Sequence, residues 1–148
     1  MGSCDGTEGG CVFSRALLAR AASCECVQRR TLGERDVLEC TQPVARTNCA
    51  LLRDLLRERA RFALKLPPAG TPLMHAQVLR LQCGGLAGLQ RVLDQPHRDV
   101  HRLVADAQAR HGSLVELPWA NVVAAMRDWA PRRRSGAPPP QAPPGSPQ

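Results

Sequence analysis

Four cysteines, Cys24, Cys26, Cys40 and Cys49, fall in one short stretch with the spacing C-x-C-x13-C-x8-C. Thiolates gathered near one point repel one another unless a cation neutralises them. Zn²⁺ and iron–sulfur clusters both do this, and both accept four sulfur ligands. The candidate metal ligands are therefore Cys24, Cys26, Cys40 and Cys49, and the expected cofactor is an iron–sulfur cluster or Zn. Cys83, in "LQCGGLAGL", is a further candidate. It would replace Cys24 or Cys26 as a ligand, or act as a reactive thiol beside glycines that let another group approach closely.

The pattern is less specific than a paired C-x2-C array, in which each knuckle wraps two sulfurs around one tetrahedral ion. An extended C-x-C sends its side chains apart, which leaves room for one of Cys24 and Cys26 not to ligate. The spacing matches neither the bacterial nor the plant-type ferredoxin run. Unligated thiols buried as small hydrophobes are a competing reading. Disulfides are another, although the 7 cysteines make an odd number.

Compartment bears on this choice. No basic segment followed by an apolar run opens the chain, and "VFSRALLARAA" is interrupted by Arg15 and Arg20. No apolar stretch approaches the roughly 20 residues that span a bilayer. A soluble, cytoplasmic protein without membrane contact is expected. Clustered cysteines there bind metal or do redox chemistry more often than they pair.

Other constellations are weaker. His97 and His101 are four apart and read as a solvated face. His75 could join a Cys3His zinc site but is not taken as a ligand, and His111 suits the negative end of a helix. Asp54 and Glu58 interleave with Arg53, Arg57, Arg59 and Arg61, the pattern of an exposed ion-paired helix face. The net charge is +7, and every basic residue except Lys65 is Arg. Those arginines could meet phosphates, but aromatic content is only 3%, so stacking platforms for nucleic acid are scarce. Neither a Ser/His/Asp nor a Cys/His catalytic set is evident. The glycines match no dinucleotide or phosphate-loop fingerprint.

Elements must bring the cysteines together. Hydrophobic residues make up 43% of the 148 residues and Tyr is absent, so a modest core of Leu, Val and Ala is expected. "CVQRR" and "VLEC" flank "TLGERD", where Gly33 permits a tight turn. A small hairpin would bring Cys24 and Cys26 on one arm close to Cys40 on the other. "CVFSRALLARAAS" reads as a short amphipathic helix. "TNCALLRDLLRERARFALKL" reads as a longer one, with Leu52, Leu55, Leu56, Phe62 and Ala63 at helical spacing and Thr47 or Asn48 as its cap. That start would put Cys49 in the first turn, where free N–H groups favour a thiolate. The end, "FALKL", alternates like a strand. Residues 76–83 fit either a strand or a helix. The Gly84-Gly85 pair would cost a helix roughly 2 kcal/mol, which favours strand, turn, then helix. "RDVHRLVADAQARHG" ends on Gly112, and "LPWANVVAAMRDWAP" is bounded by Pro118 and Pro131. Trp119, Val122, Val123, Met126 and Trp129 share an apolar face for the core or a partner.

The expected architecture is α+β. It is a small, mainly helical single domain over 11–131 with a short Cys-bearing hairpin, a flexible segment at 1–10 and a disordered Arg/Pro-rich tail at 132–148. The expected function is that of a cysteine-rich metal- or iron–sulfur-binding accessory protein in redox metabolism, non-catalytic, with a protein partner. The alternatives are a zinc-stabilised protein- or nucleic-acid-interaction module and a thiol redox protein using Cys49 or Cys83. Nucleic acid is the weaker partner class. Removing residues 135–148 should leave the melting temperature unchanged, because a Pro-rich segment has little apolar surface to bury. A thermal melt of the truncated chain checks this, and a large drop would show that the tail packs.

Overall fold

A computed structural model describes residues 10–131. The flexible segment and the disordered tail expected from the sequence lie outside that range, apart from Gly10. The chain runs α1 (Ser14–Leu18), β1 (Val27–Leu32), β2 (Arg35–Cys40), α2 (Pro43–Ala60), α3 (His75–Leu79), a π-helical turn (Arg80–Gly84), α4 (Gly85–Leu93), α5 (Val100–His111), a 3-10 turn (Leu114–Glu116) and α6 (Trp119–Asp128). The fold is a small α+β domain, mainly helical, with one antiparallel hairpin.

The hairpin forms where the turn chemistry placed it. Val27 pairs with Cys40 and Leu32 with Arg35, leaving Gly33 and Glu34 as a two-residue loop. Gly33 has φ 66°, a conformation open to glycine at no steric cost. β1 is mostly exposed, β2 is half-buried at Val37, Glu39 and Cys40, and only Leu38 is buried. Cross-strand ion pairs lie one on each face, Arg29 to Asp36 at 3.0 Å and Arg30 to Glu39 at 3.1 Å. Exposed pairs of this kind each contribute about 0–1 kcal/mol, so the hairpin depends on its anchorage to the helices.

The helices enclose a core of Leu52, Leu56, Leu89, Leu93, Leu103, Leu114, Val122 and Met126, with Phe13 as its one fully buried aromatic residue. α5 starts at the cap residue Asp99, whose side chain accepts the Arg102 N–H, and ends on Gly112 at φ 79°. α6 follows Pro118, as expected.

Four local expectations are corrected. The chain at 76–83 is helical, not a strand, and runs through the glycine pair into α4. A Cβ added to Gly85 would lie 2.6 Å from a Leu56 methyl, one on Gly84 3.2 Å from the Met126 Cα, and one on Gly88 3.0 Å from the Val122 carbonyl oxygen. The glycines therefore allow α4 to touch α2 and α6 more closely than a side chain permits. That packing offsets their poor helix propensity. α2 begins at Pro43 rather than at Thr47 or Asn48. A proline lacks the N–H that a first helical turn cannot use, and its fixed φ suits that position. "FALKL" is a turn instead of a strand. α2 stops at Ala60, and Lys65 reverses the chain at φ 55°, so Phe62 leaves the core and stands 86% exposed. α1 is short: Arg20 at φ 62° ends the helical run before Ser23.

Among the described residues, no helix is long and apolar enough to cross a membrane. Gly88→Val should lower stability by about 1–3 kcal/mol through overpacking, because the Val122 backbone cannot retreat from the new side chain. Thermal melts check it, with an expected drop of roughly 4–12 °C. A melt matching the parent would contradict the close approach of α4 and α6.

Candidate metal centre

The hairpin base, α2, the segment beside the start of α5 and the segment ahead of α1 each bring cysteine to one place. Cys40 ends β2. Cys26 lies just before β1 and is tied across the base, where its carbonyl accepts the Thr41 backbone N–H and hydroxyl, both at 2.8 Å. Cys24 sits beside the start of α5. There Ser23 pairs with Asp99, through Ser23 N–H to the Arg98 carbonyl and Val100 N–H to the Ser23 carbonyl, each 2.8 Å. Cys49 is well inside α2, three and seven residues ahead of the buried Leu52 and Leu56, so it shares their inward face.

Cys11 joins them, a residue the sequence reading left out. Gly10 bridges Glu39, and the Cys11 N–H donates to the Leu38 carbonyl at 2.9 Å, so residues 10–11 extend the hairpin edge. Arg46 of α2 donates to the Gly10 carbonyl at 2.7 Å. Gln82, the one buried polar side chain of the described residues, accepts the Ala16 N–H at 3.0 Å and donates to the Val12 carbonyl at 3.1 Å. No local pattern in the sequence announces this strand pairing. Residue type was the only available signal.

The electrostatics record the gathering. Burial pushes the Cys11 thiol up to about 11, and nearby Cys24 and Cys40 add to the rise, while the Phe13 N–H and Arg46 oppose it. Burial also pushes Cys49 up to about 12, with further contributions from Cys11, Cys24, Cys40 and Cys26. Cys26 is pushed up to about 11 by burial, by Cys24 and Cys40, and by a hydrogen bond to the Cys24 sulfur. Cys24 is raised by burial and opposed by the Cys26 and His101 backbone N–H groups, which donate to its sulfur. The expected thiolate-favouring position of Cys49 is thus corrected: it lies past the first turn of α2, out of reach of the free N–H groups. Cys83 is set apart. It is buried in the π-helical turn among core residues, and burial is the sole cause of its raised pKa. The adjoining glycines serve helix packing.

Among the described residues, one set places three metal-capable atoms within 4.8 Å of one another: Glu25, Asp99 and His101. Its hydrogen bonds account for it structurally. His101 Nδ1 lies 2.8 Å from Glu25 Oε2, and Asp99 accepts the Glu25 N–H at 2.8 Å and the Arg102 N–H at 3.1 Å. These bonds fasten Cys24 and its neighbours to α5. His101 is therefore paired with a carboxylate rather than only solvated, and His97 lies 3.8 Å from Asp106. Beside the sulfurs, a cavity of about 450 Å³ opens between α2 and α5, walled by Cys26, Cys49, Glu25, His101, Asn48 and Gln108.

The chain matches no protein family, no curated protein and no solved structure in the comparisons made.

A pH dependence follows for the reduced, metal-free chain. Folded-state thiol pKa values raised above 9.0 to about 11–12 mean that the native state holds protons that the unfolded state releases. Stability should be full below pH 9.0 and fall as pH rises through 11. Denaturant melts across that range check it, and flat stability would contradict the burial of these thiols.

Proposed function

We propose that this chain is a small, non-catalytic iron–sulfur protein of redox metabolism, with Cys11, Cys24, Cys40 and Cys49 as the cluster ligands. The observation that carries the reading is mutual proximity. In each of the six pairings of these four cysteines, charge on one sulfur disfavours ionisation of the other. The set Cys24, Cys26, Cys40 and Cys49 meets the same condition, and the choice of Cys11 over Cys26 rests on the hydrogen bond that commits Cys26 to the Cys24 sulfur.

The donor set fits such a group. Four thiols from four separate segments converge, and their mutual repulsion is what a bound cation relieves. A single tetrahedral Zn²⁺ with bonds of about 2.3 Å would hold its sulfurs about 3.8 Å apart. No three of the described sulfurs lie within 4.8 Å of one another. A four-iron cluster places iron between its cysteines and so spans a wider set. Backbone N–H groups already point at the sulfurs, from Phe13 to Cys11 and from Cys26 and His101 to Cys24. Hydrogen bonds to sulfur are among the features that set a cluster's reduction potential.

A bound cluster would supply one-electron transfer. The chain's own part is to hold four half-buried sulfurs and direct N–H groups at two of them. Thiol exchange has less support, because thiols pushed up to about 11–12 are protonated at neutral pH and the protonated form is a poor nucleophile. The reading carries with it the cytoplasm, where unpaired thiols persist.

Anaerobic reconstitution with iron and sulfide, followed by visible absorbance and iron analysis, tests the assignment. Cys11→Ser, Cys40→Ser and Cys49→Ser should each lose most of the bound iron. Cys26→Ser should keep iron with a shifted reduction potential, and Cys83→Ser should keep both. Full iron retention in Cys11→Ser would remove that residue from the ligand set, and trace metal in the parent protein would overturn the reading.

A further inference from the structure

We infer that the outer face of α6 and the C-terminal end of α2 form a docking surface for an acidic segment of a partner protein that also carries large apolar side chains. The inference does not rest on the metal reading. Trp119, Ala120, Val123, Ala124 and Arg127 line one side of a groove of about 240 Å³, and Arg59 of α2 lines the other. Helical spacing puts Trp119, Val123 and Arg127 in one row with Ala120 and Ala124 beside it, so the floor is shallow and apolar between two guanidinium groups. Arg59 lies over the Trp119 ring at 5.8 Å from its centroid, and the Trp119 Nε1–H is spent on the Val115 carbonyl. Beyond the end of α2, Phe62 is 86% exposed and Arg61 lies over its ring at 5.5 Å.

Charge complementarity identifies the occupant. Arg59, Arg61 and Arg127 form no ion pair among the described residues, although Glu58 and Asp128 stand on the same helices. A guanidinium stacked on a ring loses little freedom when it binds a carboxylate, and its fork suits that partner. The apolar floor and Phe62 call for apolar side chains between the acids. Single-stranded nucleic acid is disfavoured, because the two rings, Trp119 and Phe62, each already carry a guanidinium over one face.

Fluorescence anisotropy of the full chain with a short labelled peptide of alternating Glu and Leu tests the surface, with labelled oligoglutamate and oligothymidylate as comparisons. The Glu/Leu peptide should bind saturably and more tightly than either. Joint Arg59→Glu and Arg127→Glu substitution should weaken it at least tenfold, and the neutral pair Arg59→Gln and Arg127→Gln less so. Phe62→Ser should weaken the Glu/Leu peptide but not oligoglutamate. Joint Arg15→Glu and Arg35→Glu substitution, an equal charge change elsewhere, should leave binding unaltered. Equal weakening by that distant pair, tighter oligothymidylate binding, or no saturable binding of the Glu/Leu peptide would overturn the inference.

Discussion

The Asp99 carboxylate joins parts of the chain that are far apart in sequence. One oxygen accepts the Arg102 N–H and caps α5; the other accepts the Glu25 N–H. A side chain that satisfies a free helix-start donor thereby also fixes the segment carrying Cys24 and Cys26. Because Thr41 binds the Cys26 carbonyl, the same anchor holds the hairpin, and with it Cys40. The strands have almost no core of their own. Without the Asp99 side chain they would be held by the Ser23 backbone pairing and the Glu25–His101 pair to α5, by Leu38, and by the edge pairing at Gly10 and Cys11. Gln82 plays the matching part on the other side, reaching from the core to two backbone groups of the segment that carries Cys11. Gln82 is buried and would be costly unpaired, whereas the half-buried Asp99 acts as a helix cap.

Sequence reasoning reached the elements whose signals are local. Gly33 between two β-branched arms announced the hairpin. Gly112 and Pro118 marked the end of α5 and the start of α6, because glycine tolerates a left-handed cap and proline a donor-free first turn. It failed where distant residues decided. The glycine pair looked like a helix breaker, since its cost is local and its compensation comes from Leu56 and Met126, far along the chain. Phe62 looked like core by spacing, but α2 ends one turn too early to bury it.

The site was half legible for the same reason. Cys24, Cys26, Cys40 and Cys49 stood out by density in the sequence, and the hairpin explained how three of them could meet. Cys11 enters through strand pairing across a gap of 27 residues between Cys11 and Leu38, a relation no local motif carries. Cys83 looked eligible because glycines followed it, but those glycines belong to the α4 packing. The C-x-C ambiguity resolves into two environments, with Cys24 receiving backbone N–H groups and Cys26 hydrogen-bonding to its sulfur.

The gathered thiols pose one physical problem. Burial and the neighbouring sulfurs disfavour ionisation of Cys11, Cys26 and Cys49, whereas a metal would hold its ligands ionised and turn their repulsion into attraction. X-ray absorption at the iron edge of anaerobically purified protein tests that claim most directly. The account predicts iron ligated by sulfur alone, with neighbouring iron atoms in the second shell of scattering. Absence of iron, or iron ligated by oxygen and nitrogen, would contradict it.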